Sequence, residues 1–137
     1  MSENSWHAAW LDVAKRISLE SKDPSTKVGC VLTDENNFII GTGVNGSPSG
    51  YDYPSADDRY ATTLHAEENA LRLVGHRKPH TAYVFPCFPC SNCMARLAQH
   101  GIKRVFSIEA PGERWRFDLT EDIAKAKGIE LIRLYEL

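Results

Sequence analysis

The sequence predicts an α/β fold of three layers, a five-stranded mixed sheet with helices on both faces. Three observations predict it. Short β-rich runs alternate with segments of helical period through the second half of the chain, which implies parallel strands joined by helical crossovers. Two neighbouring β-rich runs before residue 45 are separated by Asp34-Glu35-Asn36-Asn37, the composition of a hairpin turn. Gly75, Gly101 and Gly128 each follow a helical segment, where a left-handed residue commonly ends a helix.

The elements follow in order. Trp6, Ala9, Trp10, Val13, Ala14 and Ile17 recur at helical spacing and predict an amphipathic helix over 5–21, ended before Pro24. Residues 28–32 and 38–44 predict the hairpin strands. Residues 45–63 are rich in Gly, Pro, Ser and Asp and read as a loop. A helix from about His65 to Val74 follows, then a short buried strand over 82–85. A helix over 91–100, a strand over 103–108, a loop around Pro111-Gly112, a helix over 119–127 and an alternating strand over 129–134 complete the chain.

A chain of 137 residues fits one domain, taken here as 1–137, with room for a real core. Apolar residues make up 42% and charged residues 25%, which excludes disorder. The net charge of −2 argues against a surface built wholly to grip nucleic acid. No run approaches the roughly 18 apolar residues of a membrane span. The start lacks the layout of a secretory signal, so a cytoplasmic protein is expected. Between Glu68 and Glu109 there is no acidic residue, while Arg72, Arg77, Lys78, Arg96, Lys103 and Arg104 lie there. That stretch reads as solvated surface, or as an electropositive side that attracts a phosphate-bearing ligand or a partner subunit.

Three of the four cysteines, Cys87, Cys90 and Cys93, fall within seven residues. Such clustering reads as a metal site rather than a disulfide framework. His65-Ala66-Glu67 opens one predicted helix and Pro89-Cys90-Ser91-Asn92-Cys93 opens another. Helix N-termini stabilise negative charge, which favours thiolates and metal ligation. One imidazole and two thiolates supply three ligands to Zn²⁺, leaving its fourth position open as in a catalytic site. Glu67, two residues from the histidine, is then placed as a general acid and base. H-x-E followed by P-C-x-x-C is the signature of zinc deaminases. Two other readings stay open: a redox pair of Cys90 and Cys93, and a closed structural zinc with Cys87 as fourth ligand. Cys30 reads as core packing. His7, His76, His80 and His100 have no ligand-spaced partners and read as surface or helix-end residues.

The chain resembles the deoxycytidylate (dCMP) deaminases of the cytidine deaminase superfamily over nearly its whole length. The resemblance rests on Ser21-Lys22-Asp23-Pro24, Val28-Gly29, Asn45-Gly46-Ser47-Pro48, His65-Ala66-Glu67-Glu68-Asn69-Ala70, Pro89-Cys90-Ser91-Asn92-Cys93 and Gln99-His100-Gly101-Ile102-Lys103. It implies a cytidine-deaminase-like fold, one Zn²⁺ per chain on His65, Cys90 and Cys93, and proton transfer by Glu67 to N3 of cytosine and then to departing ammonia. It also implies that the Ala66 amide lies near the reacting oxygen, that Asn45 hydrogen-bonds the nucleotide and that Val28 packs on the base. Position 44 is Val where the family commonly has Tyr, so feedback by dCTP or dTTP is not implied. Only residues 49–64 fill the gap that holds a metal-rich insert in many viral relatives, so no second zinc is implied.

The expected function is deamination of dCMP to dUMP, supplying the thymidylate precursor. A 5′-phosphate needs cationic or N–H donors. Lys27 is the first candidate, Arg59 the second, and Arg114 and Arg116 follow. The alternatives are another cytosine nucleotide or nucleoside (dCTP, deoxycytidine or a modified dCMP), an editing deaminase of tRNA or single-stranded DNA, and a non-catalytic zinc module. A small-molecule nucleotide is the expected partner, with neither membrane nor nucleic acid, and the resemblance implies a homo-oligomer.

Overall fold

The computed structural model describes residues 3–51 and 56–134. Helix α1 (Glu3–Ser18) leads into strands β1 (Gly29–Thr33) and β2 (Ile39–Val44). Helices α2 (Ala56–Thr62) and α3 (Ala66–Leu71) precede β3 (Thr81–Phe85), α4 (Ser91–Gln99) and β4 (Arg104–Ser107). A 3-10 turn (Glu113–Trp115), α5 (Phe117–Lys127) and β5 (Glu130–Arg133) follow. The strand order is β2-β1-β3-β4-β5. β1 pairs antiparallel with β2 and β3, and β3, β4 and β5 run parallel. This is the mixed sheet that the sequence predicts.

Side-chain alternation along the strands builds two cores on opposite faces. Cys30, Leu32, Ala82, Val84 and Val105 face the cluster shared with Ala66 and Ala70 of α3, Met94 and Leu97 of α4, and Ala124 of α5. Val31, Tyr83 and Phe106 face Leu11 and Ala14 of α1. The layers are therefore α1, the sheet, and α3 with α4 and α5. Among the described residues no helix is long and apolar enough to cross a membrane.

Two expectations are corrected. The stretch 45–63 contains α2, whose seven residues are too few to show helical periodicity against a polar, Gly- and Pro-rich background. His7 is no surface residue: it is 5% exposed, its Nδ1 lies 2.6 Å from the Tyr83 hydroxyl, and its ring stacks on Phe106 at 4.2 Å. It is polar filling in the α1 core. Cys30 is wholly buried.

The position of α3 depends on what β2 lacks. Gly41 and Gly43 face α3, and a Cβ on either would clash with the Ala70 or Ala66 carbonyl oxygen. A Cβ at Gly43 would also lie 2.9 Å from the Asn69 Cβ. The Asn69 Nδ2 donates to the Val44 carbonyl at 2.8 Å and fixes the helix along the strand. Gly43→Ala should push α3 away from the sheet, at a cost of about 1–3 kcal/mol. Urea denaturation should show a lower midpoint, and the variant should hold zinc more weakly, because His65 leads directly into α3.

Candidate active site

Two helix N-termini meet beside the end of β3. His65 precedes α3 in extended conformation, and its backbone N–H donates to the Glu68 carboxylate at 3.0 Å. Cys90 caps α4, its sulfur accepting from the Cys93 N–H at 3.5 Å. The turn before α4 is held from two sides. The Phe88 N–H donates to the Glu109 carbonyl at 2.9 Å, and the buried Thr120 hydroxyl of α5 donates to the Pro89 carbonyl at 2.9 Å.

The result is a compact donor set. The His65 Nδ1 lies 3.4 Å from the Cys90 sulfur and 3.2 Å from the Cys93 sulfur. All three ligand atoms lie within 4.8 Å of one another. Zinc bonds of about 2.0–2.3 Å in a tetrahedron place such atoms roughly 3.5–3.8 Å apart, so the set fits the ion. Its proton chemistry fits as well. Pairing with Cys93 holds the Cys90 thiol down at about 4, while that same pairing pushes the Cys93 thiol up. The hydrogen bond with Cys90 raises the His65 imidazole. A divalent cation is the group that lets both sulfurs ionise together. Cys87 is not in the donor set. It pairs in a parallel bridge with Glu109, and burial pushes its thiol up to about 12. That geometry is a three-ligand site, not a closed four-ligand one.

Glu67 occupies the first turn of α3 and is 4% exposed. Burial pushes its carboxyl up to about 7. It lines a cleft of about 390 Å³ with His65, Ala66, Cys90, Val28 and Asn45. That volume suits a small ligand. Asn45 is 9% exposed and largely committed. Its Oδ1 accepts from the Val28 N–H at 2.9 Å and the Ser21 hydroxyl at 2.7 Å, and its Nδ2 donates to the Thr26 carbonyl at 2.8 Å. One amide hydrogen remains to face a ligand.

The cationic candidates separate in space. Lys27 is exposed, does not line the cleft and donates to the Ser21 carbonyl. Arg116 pairs with Asp118 at 2.9 Å. Arg114 lines the cleft, and Arg59 lies beside Tyr60, which also lines it. Sequence reasoning passed over Tyr60 and Trp115. The Trp115 ring meets His65 edge-on at 5.4 Å and forms one wall of the cleft. Neither belongs to a spaced motif, so only the fold brings them in.

The cytidine and deoxycytidylate deaminase zinc-binding region matches residues 4–109. An uncharacterized deaminase encoded in the luxG 3′ region of Aliivibrio fischeri is 35% identical over 92% of this chain and 91% of its own length. A probable deoxycytidylate deaminase of Caenorhabditis elegans is 37% identical over 75% of this chain, which spans 57% of that protein. The crystal structure of the dCMP deaminase from cyanophage S-TIM5 in complex with dCMP and dUMP superposes with a TM-score of 0.80 and 25% identity, covering 98% of this chain and 99% of that one. A donor set of this composition, a buried glutamate beside it and these relatives converge: the chain belongs to the cytidine and deoxycytidylate deaminase family and is a zinc-binding deaminase.

Proposed function

We propose that this protein hydrolyses dCMP to dUMP and ammonia, and so supplies the precursor of thymidylate. The observation that carries the reading is the buried Glu67 carboxyl on the wall of a nucleotide-sized cleft that also exposes His65 and Cys90. The likeness to the cyanophage enzyme in complex with dCMP and dUMP supports the choice of substrate.

His65, Cys90 and Cys93 would hold the zinc, which when bound supplies a Lewis acid and lowers the pKa of water. The remaining steps belong to the chain. Val28 bounds the cleft as a neutral aliphatic surface for the flat base. The last Asn45 amide hydrogen is available to the sugar or base. Glu67 takes a proton from the attacking water and gives it to N3 of the cytosine. It then carries a second proton to the amino group at C4, which leaves as ammonia while the water oxygen stays on the ring. A carboxyl with a pKa near neutrality suits both directions of transfer. The Ala66 N–H, at the first position of α3, is an orphan donor of a helix N-terminus and can face the developing oxyanion. Assembly into a homo-oligomer is part of the same reading, and Leu73, half exposed after α3, is an apolar group that assembly would cover.

Three outcomes are expected. Zinc-loaded protein given dCMP, CMP, dCTP, deoxycytidine, cytosine and a tRNA anticodon hairpin should release ammonia fastest from dCMP. Activity confined to the hairpin would transfer the protein to the editing class. Glu67→Gln should keep its zinc and thermal midpoint while turnover falls about 10²–10⁴-fold. Retained turnover would remove Glu67 from the mechanism. Cys87→Ala should retain one zinc per chain by metal analysis, and loss of zinc there would restore the four-ligand site.

A further inference from the structure

One cluster at the mouth of the cleft is not used by the chemistry above. The Arg114 guanidinium lies 4.1 Å from the centre of the Tyr60 ring and 5.0 Å from that of Trp115. The Arg59 guanidinium lies 4.8 Å from the centre of the same Tyr60 ring and donates from Nη2 to the Tyr60 hydroxyl at 3.0 Å. Ser25, from a third segment, lines the same cleft wall. One tyrosine thus gathers two guanidiniums, one from α2 and one from the 3-10 turn.

Neither arginine forms an ion pair with a carboxylate among the described residues. The Arg59 Nε is buried and has no hydrogen-bond partner among them. A buried guanidinium N–H without an acceptor is costly, and guanidinium N–H groups are strong donors to an oxyanion. On the cleft wall, the Asp23 Oδ1 accepts from the Ser25 and Thr26 N–H groups at 2.8 and 3.1 Å. Stacking on an aromatic face leaves the in-plane N–H edges of a guanidinium free for a ligand.

We propose that Arg59, Tyr60 and Arg114 form an anion clamp across the mouth of the cleft that takes the 5′-phosphate of the substrate and so excludes the free nucleoside. The proposal rests on the reading of the protein as a dCMP deaminase. It replaces Lys27, whose ammonium is turned to the Ser21 carbonyl. Arg114 and Arg59 supply the charge, and Tyr60 holds both in place and is a positioning residue as well as a hydroxyl donor.

The test compares dCMP with deoxycytidine on the zinc-loaded enzyme. In wild type, kcat/KM should favour dCMP strongly. In Arg114→Ala and Arg59→Ala that preference should fall about 10- to 100-fold, through KM rather than kcat, as for lost charge-assisted hydrogen bonds. Arg114→Lys should recover part of it. Tyr60→Leu should lose more than Tyr60→Phe, which keeps the ring. Binding is read separately, by calorimetric titration of dUMP against deoxyuridine. Equal affinity for the two in wild type, or an unchanged preference in both arginine variants, overturns the clamp. Arginine-dependent binding of dUMP without ammonia release from dCMP upholds the clamp and overturns the deamination reading instead.

Discussion

The rest of the site depends on a contact between two backbones. Gly43 lets the first turn of α3 settle against β2 with no side chain between them. Because His65, Ala66 and Glu67 occupy that turn, the distance from helix to sheet sets the distance from imidazole to thiolates. The capping bond from the His65 N–H to Glu68 then fixes the angle at which the chain enters. A strand with a Cβ at that place could still pair in the sheet. It could not support a helix at this depth, and the three ligands would no longer share one point.

The opposite ligand pair is held by a different device. Cys90 and Cys93 ride on α4, whose N-terminus is tied to the start of the β4–α5 loop through Glu109 and to α5 through Thr120. Two independently braced helix ends therefore face each other across the donor set. Such preorganisation keeps soft ligands together before any ion arrives, and reduces the ordering that binding would otherwise require.

The metal ligands, Glu67 and the succession of strands and helices were legible because each is local: a motif of fixed spacing, or a period of two bounded by turn residues. The glycine stops after α4 and α5 read equally well, with Gly101 and Gly128 at positive φ, whereas α3 ends at Leu71, short of Gly75. What escaped was whatever depends on distant segments meeting. Helix α2 is short and polar, and it exists where Tyr60 can reach Trp115 and Arg114. His7 looked like an exposed helix residue because its partner, Tyr83, is 76 positions away. Asn45 was legible as important, but its amide chiefly ties together the loop that carries Val28. The cations were the least legible, since charge in a sequence gives no direction, and only packing separates Lys27 from Arg114.

The division of the interior into two cores bears on how such a chain can change over evolutionary time. Adjacent residues of β1, β3 and β4 serve opposite faces, so adding or removing one residue inside any of these strands would exchange the two interiors and expose neither set to a surface that fits it. Length variation in descendants of this sequence is therefore confined to the rims of the sheet. The hairpin tip at 34–37 and the segment 72–80, at the far end from the cleft, are where insertions can accumulate without disturbing the donor set.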